Sequence, residues 1–177
     1  MAGLPKNIGD VIQSDKLLGA SPIWDESTDH HYLVFTQPLT ILPIGVGGYQ
    51  LRVKVARHWV DRDAVMQLEY AAAGKRSALP LWRLDWKPFH SHQNSGQPPD
   101  DPLGFFGGSH QHPFDDNYLE LEDRMRFGNL PAARPFLSDP NTLSDFLAYG
   151  GELFRIKDIS RINLPVSGPD IFWGPDD

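Results

Sequence analysis

Apolar and polar side chains begin to alternate with a period of two shortly after residue 30, the spacing that puts successive side chains on opposite faces of a β-strand. The segment 31–39 is rich in β-branched and aromatic residues and predicts the first strand. Between Tyr49 and Arg57, Leu51, Val53 and Val55 fall on one face and Arg52, Lys54 and Arg57 nearer the other. Residues 65–71 repeat the pattern, with Met66, Leu68 and Tyr70 opposite Gln67 and Glu69. In the segment 79–87, Trp82, Leu84 and Trp86 oppose Leu81, Arg83 and Asp85. The connections carry Gly45, Gly47, Gly48 and Gly74 and are too short for crossover helices, so the sheet is expected to be antiparallel and to run as a meander.

The flanks read differently. Residues 7–18 space Ile8, Val11 and Ile12 about a turn apart and predict a short N-terminal helix weakened by Gly9, followed by a loop to residue 30. The stretch 91–108 is punctuated by glycine and proline and reads as a long surface loop. Leu119 and Leu121 alternate with Glu120 and Glu122, as in an edge strand guarded by charge, which takes the sheet to about residue 125. Asp139 and Pro140 are expected to open a helix over 139–156 as N-cap and first helical residue. Its apolar stripe is Leu143, Phe146, Leu147, Leu153 and Phe154, and Gly150 and Gly151 are expected to end its first segment. Residues 163–177 hold several prolines and glycines and are expected to lie extended against the body. The whole reads as one α+β domain: an antiparallel meander of five to six strands packed against one main C-terminal helix.

Composition narrows the classes. A chain of 177 residues with 40% hydrophobic and 22% charged residues is long enough to bury a core of its own. The absence of cysteine excludes disulfides, thiolate metal sites and cysteine nucleophiles, and makes a reducing, cytoplasmic setting the default expectation. No run approaches the ~18 apolar residues of a membrane span, so no membrane association is expected. The formal net charge of -7 disfavours a protein that coats nucleic acid indiscriminately, yet residues 50–92 carry eight basic against four acidic side chains. Phosphate loops, dinucleotide glycine fingerprints and nucleophile elbows are missing from the sequence.

Candidate chemistry gathers in two stretches, 83–94 and 108–117, which hold four of the seven histidines. His90 with His92, and His110 with His112, are His-x-His pairs whose rings share a face if the backbone is extended. Were the two stretches neighbours, four imidazoles would converge and suit Zn²⁺ or Ni²⁺, with Asp85, Asp115 or Asp116 as an oxygen ligand or a ring-orienting group. Without metal, Arg83 would act as a fork for phosphate or carboxylate, Asp85 as its partner, and His90, His92, His110 or His112 as general acid and base. These ingredients fit a phosphate-bearing ligand such as RNA, or a metal-dependent hydrolase. The alternatives are a purely structural Arg83–Asp85 pair and a noncatalytic module that binds a protein partner.

The order Arg83-x-Asp85, then His90, then His110-x-His112, resembles small bacterial toxins of the TumE type over about a fifth of the chain. That resemblance implies a toxin acting on RNA and neutralised by an antitoxin partner. The long intervening loop and the large additions at both ends depart from that group.

Overall fold

The computed structural model describes residues 4–26, 29–43, 45–75, 77–90, 92–93, 105–118 and 130–165. In chain order the elements are α1 (Ile8–Gln13), β1 (Lys16–Leu17), β2 (Tyr32–Pro38), β3 (Thr40–Ile41), β4 (Tyr49–Ala56), β5 (Ala64–Tyr70), β6 (Leu79–Trp86), β7 (His92–Gln93), β8 (Phe105–Phe106), β9 (His110–His112), α2 (Phe114–Asn117), β10 (Arg134–Pro135) and α3 (Leu143–Leu153), followed by a 3-10 turn at Ile159–Arg161. The fold is α+β, and its main sheet has six antiparallel strands in the order β10-β9-β6-β5-β4-β2. The four longest strands are consecutive neighbours, as a meander requires.

Period-two alternation sets the two faces of this sheet. Leu51, Leu68 and Trp82 are directly paired across β4, β5 and β6, and so are Arg52, Gln67 and Arg83. The first row faces α3 and the core; the second faces away. A register shift between Leu68 and Glu69 leaves Leu81 as an extra residue in β6, and its side chain is fully buried.

On the apolar face, Trp86 stacks on Phe146 with ring centroids 5.3 Å apart and 9° between planes, and its indole N–H donates to the Pro140 carbonyl at 2.9 Å. Trp82 meets Phe154 edge-on at 5.7 Å. Burying a ring of this size stabilises the fold by about 2–3 kcal/mol, so the Trp86–Phe146 contact is a principal clamp between helix and sheet.

The helix itself begins later than the Asp139-Pro140 pair predicts. Its N-cap is Thr142, whose hydroxyl accepts from the Asp145 amide while the Asp145 carboxylate accepts from the Thr142 amide, a complete capping box. The Asp61 carboxylate takes a further free amide, that of Leu143, at 2.8 Å. Pro140 lies outside the helix, with its carbonyl committed to Trp86.

Nor do Gly150 and Gly151 end the helix, which runs through both to Leu153. They are places of close approach: a Cβ on Gly150 would stand 2.3 Å from the Met66 sulfur, and one on Gly151 would stand 2.8 Å from three carbons of Ile159. Termination comes instead at Arg155, which takes the left-handed conformation (φ 57°) usual for glycine. There Arg155 N–H donates to the Glu152 carbonyl and Ile156 N–H to the Gly151 carbonyl, the bond pair of a Schellman motif.

At the N-terminus the predicted helix is cut to six residues, because Lys16–Leu17 leaves it to pair with Thr40–Ile41. Lys16 is fully buried there, and its ammonium donates to the carbonyls of Ile12 (3.1 Å) and Ser14 (2.8 Å), capping α1 from below. The expected loop over 91–108 contains the short antiparallel pair β7–β8. The expected edge strand beyond Tyr118 and the tail beyond residue 165 lie outside the described residues. Among the described residues no helix is long and apolar enough to cross a membrane.

Candidate metal centre

Strand parity brings the polar residues together. β6 and β9 pair antiparallel with Arg83 opposite His112, Leu84 opposite Gln111 and Asp85 opposite His110. Residues directly opposed share a face, so Arg83, Asp85, His110 and His112 all project to the side away from α3. Gln111 turns to the other side, where its amide oxygen accepts the Trp82 indole N–H at 3.3 Å.

β9 is only three residues long and needs support from both ends. Its N-terminal side is held by the Ser109 hydroxyl, which accepts the Lys87 amide at 3.1 Å. Beyond its C-terminus, Asn117 is buried and spans two segments. The Asn117 amide donates to the carbonyls of Pro113 (2.8 Å) and Ala132 (2.9 Å), and its carbonyl accepts the Ala132 N–H (2.9 Å). That bracket delivers Arg134–Pro135 to pair with β9 at Gln111 and His110. Nothing in the pattern around Asn117 distinguishes it from a loop asparagine, and the sequence reading did not find it.

Asp85, His110 and His112 are 3%, 0% and 5% exposed. One oxygen of Asp85, Oδ1, accepts from both Nε (3.0 Å) and Nη2 (2.5 Å) of Arg83, whose side chain is 40% exposed and forms the solvent side of the cluster. The other oxygen, Oδ2, has no hydrogen-bond donor among the described residues. It stands 3.6 Å from Nε2 of His110 and 3.7 Å from Nε2 of His112. The two imidazoles meet edge-on, with centroids 5.3 Å apart. Nδ1 of His110 lies 2.7 Å from the Gly108 carbonyl, which can only accept, so Nδ1 carries the proton and Nε2 is the nitrogen turned toward Asp85. One potential ligand atom from each of the three residues lies within 4.8 Å of the other two.

The other candidates whose side chains are described do not join this group. His90 is exposed beyond the end of β6 and is not part of this group, because Lys87 takes a positive φ of 44° and ends the strand's alternation. His92 belongs to β7, and its imidazole lies outside the described residues. Asp115 is exposed on α2 and Asp116 approaches Arg134 at 3.6 Å, so neither joins the cluster. Of four imidazoles expected to converge, the described residues bring together two, with one carboxylate. A separate cleft of about 410 Å³ lies at the C-terminal end of α3, lined by Gly151, Glu152, Arg155 and Lys157 among others, and contains no candidate residue.

No known protein family, curated protein or solved structure matches the chain.

Proposed function

We propose that Asp85, His110 and His112 form a mononuclear divalent-metal centre and that the protein is a metal-dependent hydrolase. The observation that carries this reading is the spacing around Asp85 Oδ2. A charge-assisted hydrogen bond would hold that oxygen about 2.7–2.9 Å from an imidazole nitrogen, well inside the 3.6 and 3.7 Å found. Two donors bound at ~2.0–2.1 Å to one tetrahedral ion stand about 3.3 Å apart, so a shift of a few tenths of an ångström suits a cation between them. Burial supports the same reading, since a carboxylate oxygen removed from water without a donor is costly unless a charge compensates it.

The surrounding contacts are those that ligands need. The Gly108 carbonyl fixes the His110 tautomer that presents Nε2, and Arg83 occupies Oδ1, leaving Oδ2 to coordinate with a single oxygen. Two nitrogens and one oxygen suit zinc or nickel, and three protein ligands leave a position for water, whose pKa such an ion lowers to about 7.

The test is metal analysis of protein purified without a polyhistidine tag from zinc- and nickel-supplemented medium. The expected content is one ion per chain, lost in Asp85→Asn and His112→Ala and retained in His90→Ala. Hydrolysis of bis(p-nitrophenyl) phosphate should follow the metal, stop in EDTA and return with zinc. A metal-free parent protein with no zinc uptake on titration would overturn the proposal.

A further inference from the structure

The sheet face that bears the cluster carries three partly exposed cations, Arg52, Lys54 and Arg83. Two cross-strand rows run over it. One reads Thr36, Arg52, Gln67, Arg83 and His112 across β2, β4, β5, β6 and β9; the other reads Val34, Lys54, Val65, Asp85 and His110. The first row ends at the cluster, and the second passes through it to Pro135 of β10. Arg52 and Lys54 are therefore three strand spacings from the histidines, roughly 14 Å.

Two acids on this face are withdrawn from it, and a third, the partly exposed Asp63, accepts the Tyr32 hydroxyl at 2.6 Å. Asp85 is buried and held by Arg83; Glu69 is buried, accepts from the Gln50 amide at 2.7 Å, and has its carboxyl pushed up by burial. The cations are partly exposed: Arg52 donates to the Gln67 amide oxygen at 3.4 Å and also lies within reach of the Glu69 charge, and the Lys54 ammonium sits 3.4 Å above the ring of Tyr32, whose hydroxyl is held by Asp63. Asp29 lies close enough to Lys54 to feel its charge, at the outer β2 edge. Arg83, Arg52 and Lys54 thus present a line of positive charge that leads to the cluster from one side.

We infer that this line is a binding track for a phosphodiester chain, a single-stranded oligonucleotide that crosses the strands with one phosphate held by Arg83 beside the cluster. Spaced cations that follow a backbone without reading bases bind single strands through their phosphates, in a salt-dependent and sequence-tolerant way. The Arg83 guanidinium, 40% exposed and with Nη1 turned from its bonds to Asp85, is suited to take a phosphate oxygen. The inference rests on the metal reading only for the identity of the reacting end; binding along the track does not need the ion.

The test is fluorescence anisotropy of the full chain with 5′-labelled decamers of uridine and of thymidine, in EDTA at low salt. Arg52→Gln and Lys54→Gln should each weaken binding about fivefold, by the same factor for different base sequences, and lower the slope of log affinity against log salt by about 1. A preference for the uridine or the thymidine decamer assigns the track to RNA or to DNA. Binding of neither decamer, binding unchanged in both variants, or displacement by poly-glutamate as efficient as by unlabelled oligonucleotide would overturn the inference; the last would make the face a site for acidic proteins. Zinc content is measured on the same protein preparations before EDTA is added and should be equal in parent and variants. Zinc uptake without oligonucleotide binding sinks the track alone, whereas oligonucleotide binding by a chain that takes no zinc sinks the metal centre alone.

Discussion

Gly151→Ala sets two well-characterised effects against each other. In an exposed helix interior, alanine in place of glycine stabilises by about 1 kcal/mol. Here the new methyl would stand 2.8 Å from Cβ, Cγ1 and Cγ2 of Ile159, where carbon atoms ordinarily meet at about 3.5–4.0 Å. Ile159 cannot turn away, because its Cβ is fixed to the backbone of the 3-10 turn. That turn is anchored by Asp158, whose carboxylate accepts the Leu18 amide at 2.7 Å. Relief requires moving the turn or the helix by more than half an ångström, and overpacking of this kind costs about 1–3 kcal/mol. With the propensity gain included, the variant should lose about 1 kcal/mol in urea denaturation followed by circular dichroism, or roughly 2–4 °C in Tm. Gly150→Ala makes the nearer contact, 2.3 Å to the Met66 sulfur, but a thioether can rotate, so it should cost less than Gly151→Ala. Ile159→Ala removes two of the three close carbons and should show favourable coupling to Gly151→Ala in a double-mutant cycle. A Gly151→Ala protein as stable as the parent, or more so, would refute the reasoning and leave the passage of the helix through both glycines without its physical cause.

Burial pushes the Lys16 amine down to about 8 from 10.5, so between those values the unfolded chain binds more protons than the folded one and stability should rise with pH. The full effect is of order 3 kcal/mol, and denaturation of the parent and Lys16→Met at pH 8 and pH 10 should show stability changing more favourably with pH in the parent than in the variant; equal slopes would remove Lys16 from the account. Thr142→Ala deletes the hydroxyl half of the capping box and should cost about 1 kcal/mol, read by urea titration at neutral pH. Asn117→Ala leaves the Ala132 amide and two carbonyls without their partner in a buried site. It should destabilise by roughly 2–4 kcal/mol and weaken zinc binding measured by calorimetry, because β9 loses its C-terminal support. Unchanged zinc affinity would separate the bracket from the cluster.

The parts of the fold that could be read from the sequence are those in which one local rule acts over many residues. β4, β5 and β6 alternate for seven or eight residues each, and pairing between neighbours preserves the parity that alternation sets. The two-residue strands β1, β3, β7, β8 and β10 have no period to display and exist only because a partner lies alongside. The ends of α3 were misread for a related reason. Asp139-Pro140 and Gly150-Gly151 are good local signals for a start and a stop, but the start went to a capping box three residues later, and the left-handed position at the stop went to an arginine. Glycine served packing against Met66 and Ile159 instead, a need that belongs to the tertiary structure.

The cluster divides along the same line. That Arg83 shares a face with Asp85, and His110 with His112, follows from parity alone. That the two pairs face each other follows from the β6–β9 register, which places Asp85 opposite His110 across a gap of more than twenty residues that no local signal spans. His90 illustrates the converse: it is close to Asp85 in sequence, yet the turn at Lys87 ends the parity and leaves it in solvent. Along the rest of the polar face, Arg52, Lys54 and Gln67 stay partly hydrated or find neutral partners, and Glu69 has Gln50. Asp85 Oδ2 differs from these: it is a buried carboxylate oxygen with no hydrogen-bond donor among the described residues, set between two imidazole nitrogens at distances too long for hydrogen bonds. A sheet built for stability alone gains nothing from such an atom, since an apolar residue at position 85 would avoid the desolvation cost. That cost, at an atom flanked by two imidazoles, is the physical argument behind the metal centre proposed above.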